Sequence, residues 1–296
     1  LKLSISAAAA LIAALLLTGA AFAHGMTSSL YERNARAARL TTQGCSAAQG
    51  HERGVIVLDF GKPAYGHGSY GTIDFSNRFI SNRAITRGML AFARGYVHCL
   101  AKHSQAVVTL ARGTSNYHPY VPSTRVAGKR WAGQVLALGR KLHENGLSAH
   151  VKSAAANDAE PAWDSSFHQT RSFISGFRKW AHGRVLYDYG SLDGGVGSIW
   201  TARQIMYVVG GAGRTAVLPE IYYPSQAQQW AELAYIAHSQ FHRSVHFAGV
   251  MTQGSSDCDC GFRPHAARQA LVHAIANWGG GVTPVPQSAT NIVSAP

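Results

Sequence analysis

The sequence predicts an α/β fold, a (β/α)8-like (TIM) barrel, on three observations. Short apolar runs rich in β-branched residues alternate with longer amphipathic stretches from residue 54 to residue 277. No fixed-period repeat interrupts that alternation. Five of the 14 acidic residues fall at the ends of the apolar runs. Alternation of this length implies a parallel sheet with helices outside it. In a parallel barrel, functional groups project from the C-terminal ends of the strands.

In chain order, "GVIVLDF" (54–60) reads as a strand and Arg83–Lys102 as a helix. "AVVTLAR" (106–112) precedes a helix at Thr124–Glu144, and "LSAHVKSAA" (147–155) one at His168–His182. "RVLYDYG" (184–190) precedes Thr201–Val209, and "TAVLPEIY" (215–222) precedes Ser225–His242. "VHFAGVMT" (245–252) precedes Pro264–Asn277, with Pro264 placed to start its helix. These are six units, and a closed barrel needs eight. The missing two are irregular, hidden within 63–80 or 113–123, or absent.

The flanks read differently. Lys2, an apolar run from Ala7 to Leu17 and an Ala21-Phe22-Ala23 exit describe a signal peptide over 1–23. That run is shorter than the roughly 20 residues a membrane span takes. Residues 24–53 read as a polar N-terminal arm with a helix near 31–40. Residues 54–278 form the barrel domain, and 279–296, without charge or apolar periodicity, a disordered tail. The expected location is extracellular, with no transmembrane segment, as a monomer.

Secretion permits disulfides. Pairing nearest neighbours gives Cys45–Cys99 and Cys258–Cys260 out of three connectivities. Lys and Arg total 27 against 14 acids, a net charge of +13, which suits acidic wall polymers as partners. No nucleic-acid motif accompanies the charge, so no specific nucleic acid is expected. No dinucleotide fingerprint, phosphate loop or G-x-S-x-G elbow is present. His238 and His242 stand at i, i+4 but lack the Glu of H-E-x-x-H. Neither metal nor cofactor is expected.

Against this background five acids share one predicted rim. Asp59 closes the first legible strand, Asp158 and Glu160 follow the third, Asp188 closes the fourth and Glu220 the fifth. Arg112, Asn116 and Gln253 follow strands at the same rim, as substrate-binding candidates. Residues two apart in extended chain point the same way, so Asp158 and Glu160 face one cleft. Each opposes the other's ionisation, which raises at least one pKa. A carboxylic acid kept protonated near neutral pH can give its proton to a leaving oxygen. Pro161 fixes the exit of the chain, and Asp164 reads as the cap of the next helix. Tyr117, Trp163, Tyr189 and Tyr222 lie just past strand ends, where flat apolar rings suit the faces of sugars.

"VLDF" with Asp59 and "NDAEPAW" with Asp158 and Glu160 resemble the barrel-fold muramidases. The D-x-E is also similar to the end of the chitinase signature. The resemblance implies Glu160 as general acid, with Asp158 tuning it or assisting the substrate's N-acetyl group. "NDAEPAW", "YDYGSLDG", "LPEIY" and "QQW" together resemble a group of secreted actinobacterial proteins with a glycosidase-like barrel, over roughly residues 54–275. The chain departs from these patterns in two places. Muramidases carry D-x-E on strand four, whereas here it follows the third legible strand. The last legible strand offers Gln253 in place of another acid. Glu220 can instead pair with Glu160, as in barrel glycosidases with two strand-end glutamates. The expected function is hydrolysis of a cell-wall or related amino-sugar polysaccharide by carboxylate general acid catalysis. The alternative is a non-catalytic carbohydrate- or wall-binding protein on the same scaffold.

Overall fold

The computed structural model describes residues 25–295 apart from 165, 211–213, 256–257, 260 and 279–283. The expected signal peptide and the tight Cys258–Cys260 pairing therefore lie outside the described residues. Among the described residues eight parallel strands form one sheet. In chain order they are β1 (Gly25–Tyr31), β2 (Gly54–Asp59), β3 (Val108–Gly113), β4 (Val151–Asn157), β5 (Leu186–Asp188), β6 (Thr215–Val217), β7 (Val250–Thr252) and β8 (Ser288–Ser294). Each pairs with the next through β6, and β8 pairs with both β7 and β1. Bridges Val217–Phe247 and Glu220–Met251 join β6 to β7, with Met251 N–H donating to Pro219 O at 2.9 Å. The circle is thereby complete.

Seven helices connect the strands: α1 (Ala37–Gln49), α2 (Asn82–Cys99), α3 (Thr124–Glu144), α4 (His168–Trp180), α5 (Ala202–Gly210), α6 (Pro224–Phe241) and α7 (Pro264–Asn277). Ser81 and Ser123 cap α2 and α3 with their hydroxyls, and Pro begins α6 and α7. Asp164 bonds the Thr170 amide at 2.6 Å in the first turn of α4. No described helix is long and apolar enough to cross a membrane.

Both flanks correct the sequence reading. The expected arm supplies β1 and α1, and the expected tail supplies β8; these are the two missing barrel units. Their lumen-facing residues hide them. Ser29 Oγ lies 2.7 Å from Thr290 Oγ1, and Thr27 Oγ1 donates to Val55 O at 2.5 Å. Hydroxyls that satisfy one another inside the barrel leave no apolar alternation to detect. The stretch 62–81 carries no barrel strand. It is a three-stranded antiparallel excursion of Lys62–Gly66, Ser69–Ile73 and Phe79–Ser81. Its tight His67-Gly68 turn has both φ angles positive, 49° and 71°.

The expected Cys45–Cys99 disulfide is present and ties α1 to α2, with Cα atoms 5.0 Å apart. Alternation along each strand divides the interior. Val55, Val57, Ala111, Ala154, Ala156, Tyr189, Leu218, Met251 and Ile292 pack in the lumen. Ile56, Leu58, Val108, Leu110 and Val151 face α1, α2 and α3 on the outside. The same parity decides where each strand-end side chain goes.

Candidate active site

Lumen parity carries Asp59 from β2, Asp158 and Glu160 beyond β4, and Glu220 beyond β6 to the C-terminal mouth of the barrel. They come from alternate strands, which supply one layer of side chains in such a barrel. With β1 restored, the D-x-E follows the fourth strand, not the third. Asp59 and Asp158 line a cavity of about 510 Å³ with Tyr31, Tyr117, Trp163 and Gln253. The excursion walls its far side with Ile73, Asp74 and Phe75.

The backbone around Glu160 is tightly held. Asp158 N–H donates to Thr114 O at 2.8 Å, and Asn116 N–H to Asp158 O at 3.0 Å. The Asn116 side chain grips Glu160 from both sides. Its Oδ1 accepts from Glu160 N–H at 3.1 Å, and its Nδ2 donates to Glu160 O at 2.9 Å and to Thr170 Oγ1 at 2.9 Å. Glu160 Oε1 accepts from Ser191 N–H at 3.1 Å. Pro161–Trp163 then form one 3-10 turn, pinned by Ala162 N–H to Asp193 Oδ2 at 2.8 Å. Trp163 meets Tyr117 edge to face at 5.5 Å, and Lys62 Nζ stands 5.2 Å from the Tyr117 ring centre.

Burial dominates the electrostatics. It pushes the Asp59 carboxyl up to about 7, against the Gly61 amide, which donates at 2.8 Å, and the nearby Tyr189 hydroxyl. Burial, then the neighbouring Glu220, Glu160, Asp59 and Asp188 carboxyls, raise Asp158 well above the ordinary range. Burial and the Glu160 charge raise Glu220 in the same way. Glu160 is less enclosed. Burial and Asp193 raise it, while Ser191 and the nearby Glu220 carboxyl pull it down. Glu160 and Glu220 stand close enough that the Glu160 charge raises Glu220. The Tyr222 hydroxyl lies close to Glu220 and Tyr31. Tyr222 is positioned in turn by Gln226, whose Oε1 accepts from Tyr222 N–H at 2.7 Å.

Four expected site residues are placed away from the cavity lining. Arg112 shares the outward parity of Val108 and Leu110. Its guanidinium donates to Asn82 Oδ1 at 2.6 Å and Thr86 Oγ1 at 3.1 Å, and stacks 3.9 Å from the centre of the Trp131 ring. It knits α2 to α3 and cannot reach a substrate. Asp188 shares the outward parity of Leu186, and the backbone amides of Ala159 and Gly190 face its buried carboxyl. The Asn116 side chain is committed to the Glu160 backbone and Thr170. Tyr189 lies fully buried in the lumen near Asp59.

Sequence reasoning missed Tyr31, Lys62, Ser115 and Ser191. Tyr31 ends an S-x-L-Y strand that its serines disguise; Lys62 begins a strand of the excursion, and Ser115 and Ser191 lie beyond barrel strands, none of them in a motif. Among the described residues no group of three His, Cys, Asp or Glu side chains is arranged to hold a metal ion.

No family model and no curated protein matches the chain. Among solved structures it is similar to a Pseudomonas stutzeri endoglucanase in complex with cellobiose. The TM-score is 0.35 and the identity 9%, over 90% of this chain and 96% of that one. At that TM-score the likeness carries no weight, and the barrel stands on the strand pairing alone.

Proposed function

We propose that the chain is a secreted glycoside hydrolase acting on a cell-wall or related amino-sugar polysaccharide. One observation carries the reading. The carboxyls of Asp59, Asp158, Glu160 and Glu220, from β2, β4 and β6, converge at the mouth of one barrel beside an aromatic-walled cavity of about 510 Å³.

Glycosidic cleavage needs a proton on the leaving oxygen and a carboxylate near the positive charge that grows on the sugar ring. Glu160 is the least enclosed of the group and delivers the proton. Glu220 stands beside it, raised by burial and by the Glu160 charge. Asp59, at about 7, is half ionised at neutral pH and lines the cavity beside Asp158. Asp59 is the group that faces the growing positive charge, and water adds to the sugar carbon as its bond to the protonated leaving oxygen breaks. The resemblance of "NDAEPAW" to muramidase and chitinase motifs favours an N-acetylated sugar. Trp163 and Tyr117 offer the faces that hold it. The Cys45–Cys99 disulfide suits an oxidising compartment.

The test is release of reducing ends from peptidoglycan, chitin and a panel of neutral polymers. Release from an amino-sugar polymer supports the reading. Binding without release from any polymer assigns the chain to the carbohydrate-binding alternative.

A further inference from the structure

A second cavity of about 480 Å³ opens at the far end of the excursion, against the starts of α2 and the face of α3. Tyr65, Ser69 and Tyr70 line one wall, and Arg83, Arg130 and Gln134 the other. We propose that it is an accessory subsite for an oxyanion, carboxylate or phosphate, carried by the glycan that the barrel mouth cleaves. The proposal rests on the hydrolase reading for the identity of that glycan.

Three observations support it. First, two guanidinium groups line the cavity and no carboxylate does. Arginine presents a fork of donors that matches carboxylate and phosphate oxygens. Second, α2 begins here, and its first turn holds Arg83 and no acidic residue. The positive end of the helix thus adds to the arginines instead of being offset. Third, Tyr65 and Tyr70 meet edge to face at 5.0 Å, giving a ring surface beside the charges. An ion alone has no use for that surface; a charged sugar does.

The two cavities are linked. Lys62 lines the first and Tyr65 the second, on one strand of the excursion. Three residues of strand span roughly 10 Å, within reach of a short oligosaccharide. Tyr120, 72% exposed, lies alongside, its N–H on Pro63 O and its O on Tyr65 N–H, both at 2.8 Å. Trp163, Tyr117, Tyr120 and Tyr65 thus mark a track from the barrel mouth to the arginines.

The experiment is calorimetric titration of wild type and Arg83→Gln/Arg130→Gln with three probes: oligogalacturonate, a phosphorylated mannan oligosaccharide and neutral chitopentaose. The expected result is tighter binding of one or both anionic probes by wild type, weakened about tenfold or more in the variant. Chitopentaose binding stays unchanged. Preference between the first two probes tells carboxylate from phosphate. Equal affinities of variant and wild type for both anionic probes overturn the subsite. So does wild-type affinity for chitopentaose that matches both. The single variants replace the double should it fail to fold. Binding is read without turnover, so absent hydrolysis overturns only the hydrolase reading.

Discussion

At the residue scale, parity along a strand separates the candidates that sequence position groups together. Asp59 and Arg112 both close strands, yet one faces the lumen and the other the helices. Arg112 is fully buried, and burial lowers its pKa to about 9. Its hydrogen bonds and the Trp131 stack compensate for that cost. Arg112→Ala is expected to lose about 2–4 kcal/mol of stability while KM stays put. A denaturant titration beside a kinetic assay reads both. Asn116 carries the opposite expectation. Asn116→Ala frees the Glu160 backbone and should lower kcat by ~10²-fold with little change in KM, since misplaced catalytic groups slow chemistry more than binding. Full activity in that variant would remove Asn116 from the positioning role.

At the element scale, the six strands and helices with an apolar face were legible, and so were the acids at their ends. β1 and β8 were not, because Ser29 and Thr290 bond across the lumen where other strands place Val or Ile. Missing β1 shifted the strand count by one, so the D-x-E seemed to sit on strand three. The excursion at 62–81 was also illegible as such: its Gly-rich, mixed sequence gives neither helical nor strand periodicity. Parity at Arg112 and Asp188 could have been read from Val108, Leu110 and Leu186, whose apolar side chains mark the outer face. β8 holds both β7 and β1. Deleting residues 284–296 uncovers two strand edges, and such edges invite aggregation. The truncated chain is expected in the insoluble fraction; a soluble, monomeric product in size-exclusion chromatography would show that β8 is dispensable.

At the scale of the whole molecule, the barrel concentrates buried carboxyls on one end and leaves positive charge over the remainder. Asp59 and Glu32 stand at about 7 and Asp188 at about 8, all raised mainly by burial. Their ordinary values in the unfolded chain are near 4. The folded state therefore binds more protons than the unfolded state between about pH 4 and 8. Stability is greatest at the acid end of that window and falls as pH rises through the folded values. The melting temperature should be lower by roughly 5 °C or more at pH 8.5 than at pH 5. Calorimetry at the two pH values checks the sign, and a higher value at pH 8.5 would contradict the assignment of these carboxyls as protonated.

In the proposed reaction Glu160 and Glu220 act as one catalytic pair. Reducing-end release on the responsive polymer, compared among wild type, Glu160→Gln, Glu220→Gln and Asp188→Asn, tests it most directly. Loss of at least ~10²-fold in kcat for each glutamate variant, with Asp188→Asn far less affected, is the predicted result. Undiminished release by Glu160→Gln or by Glu220→Gln would contradict it.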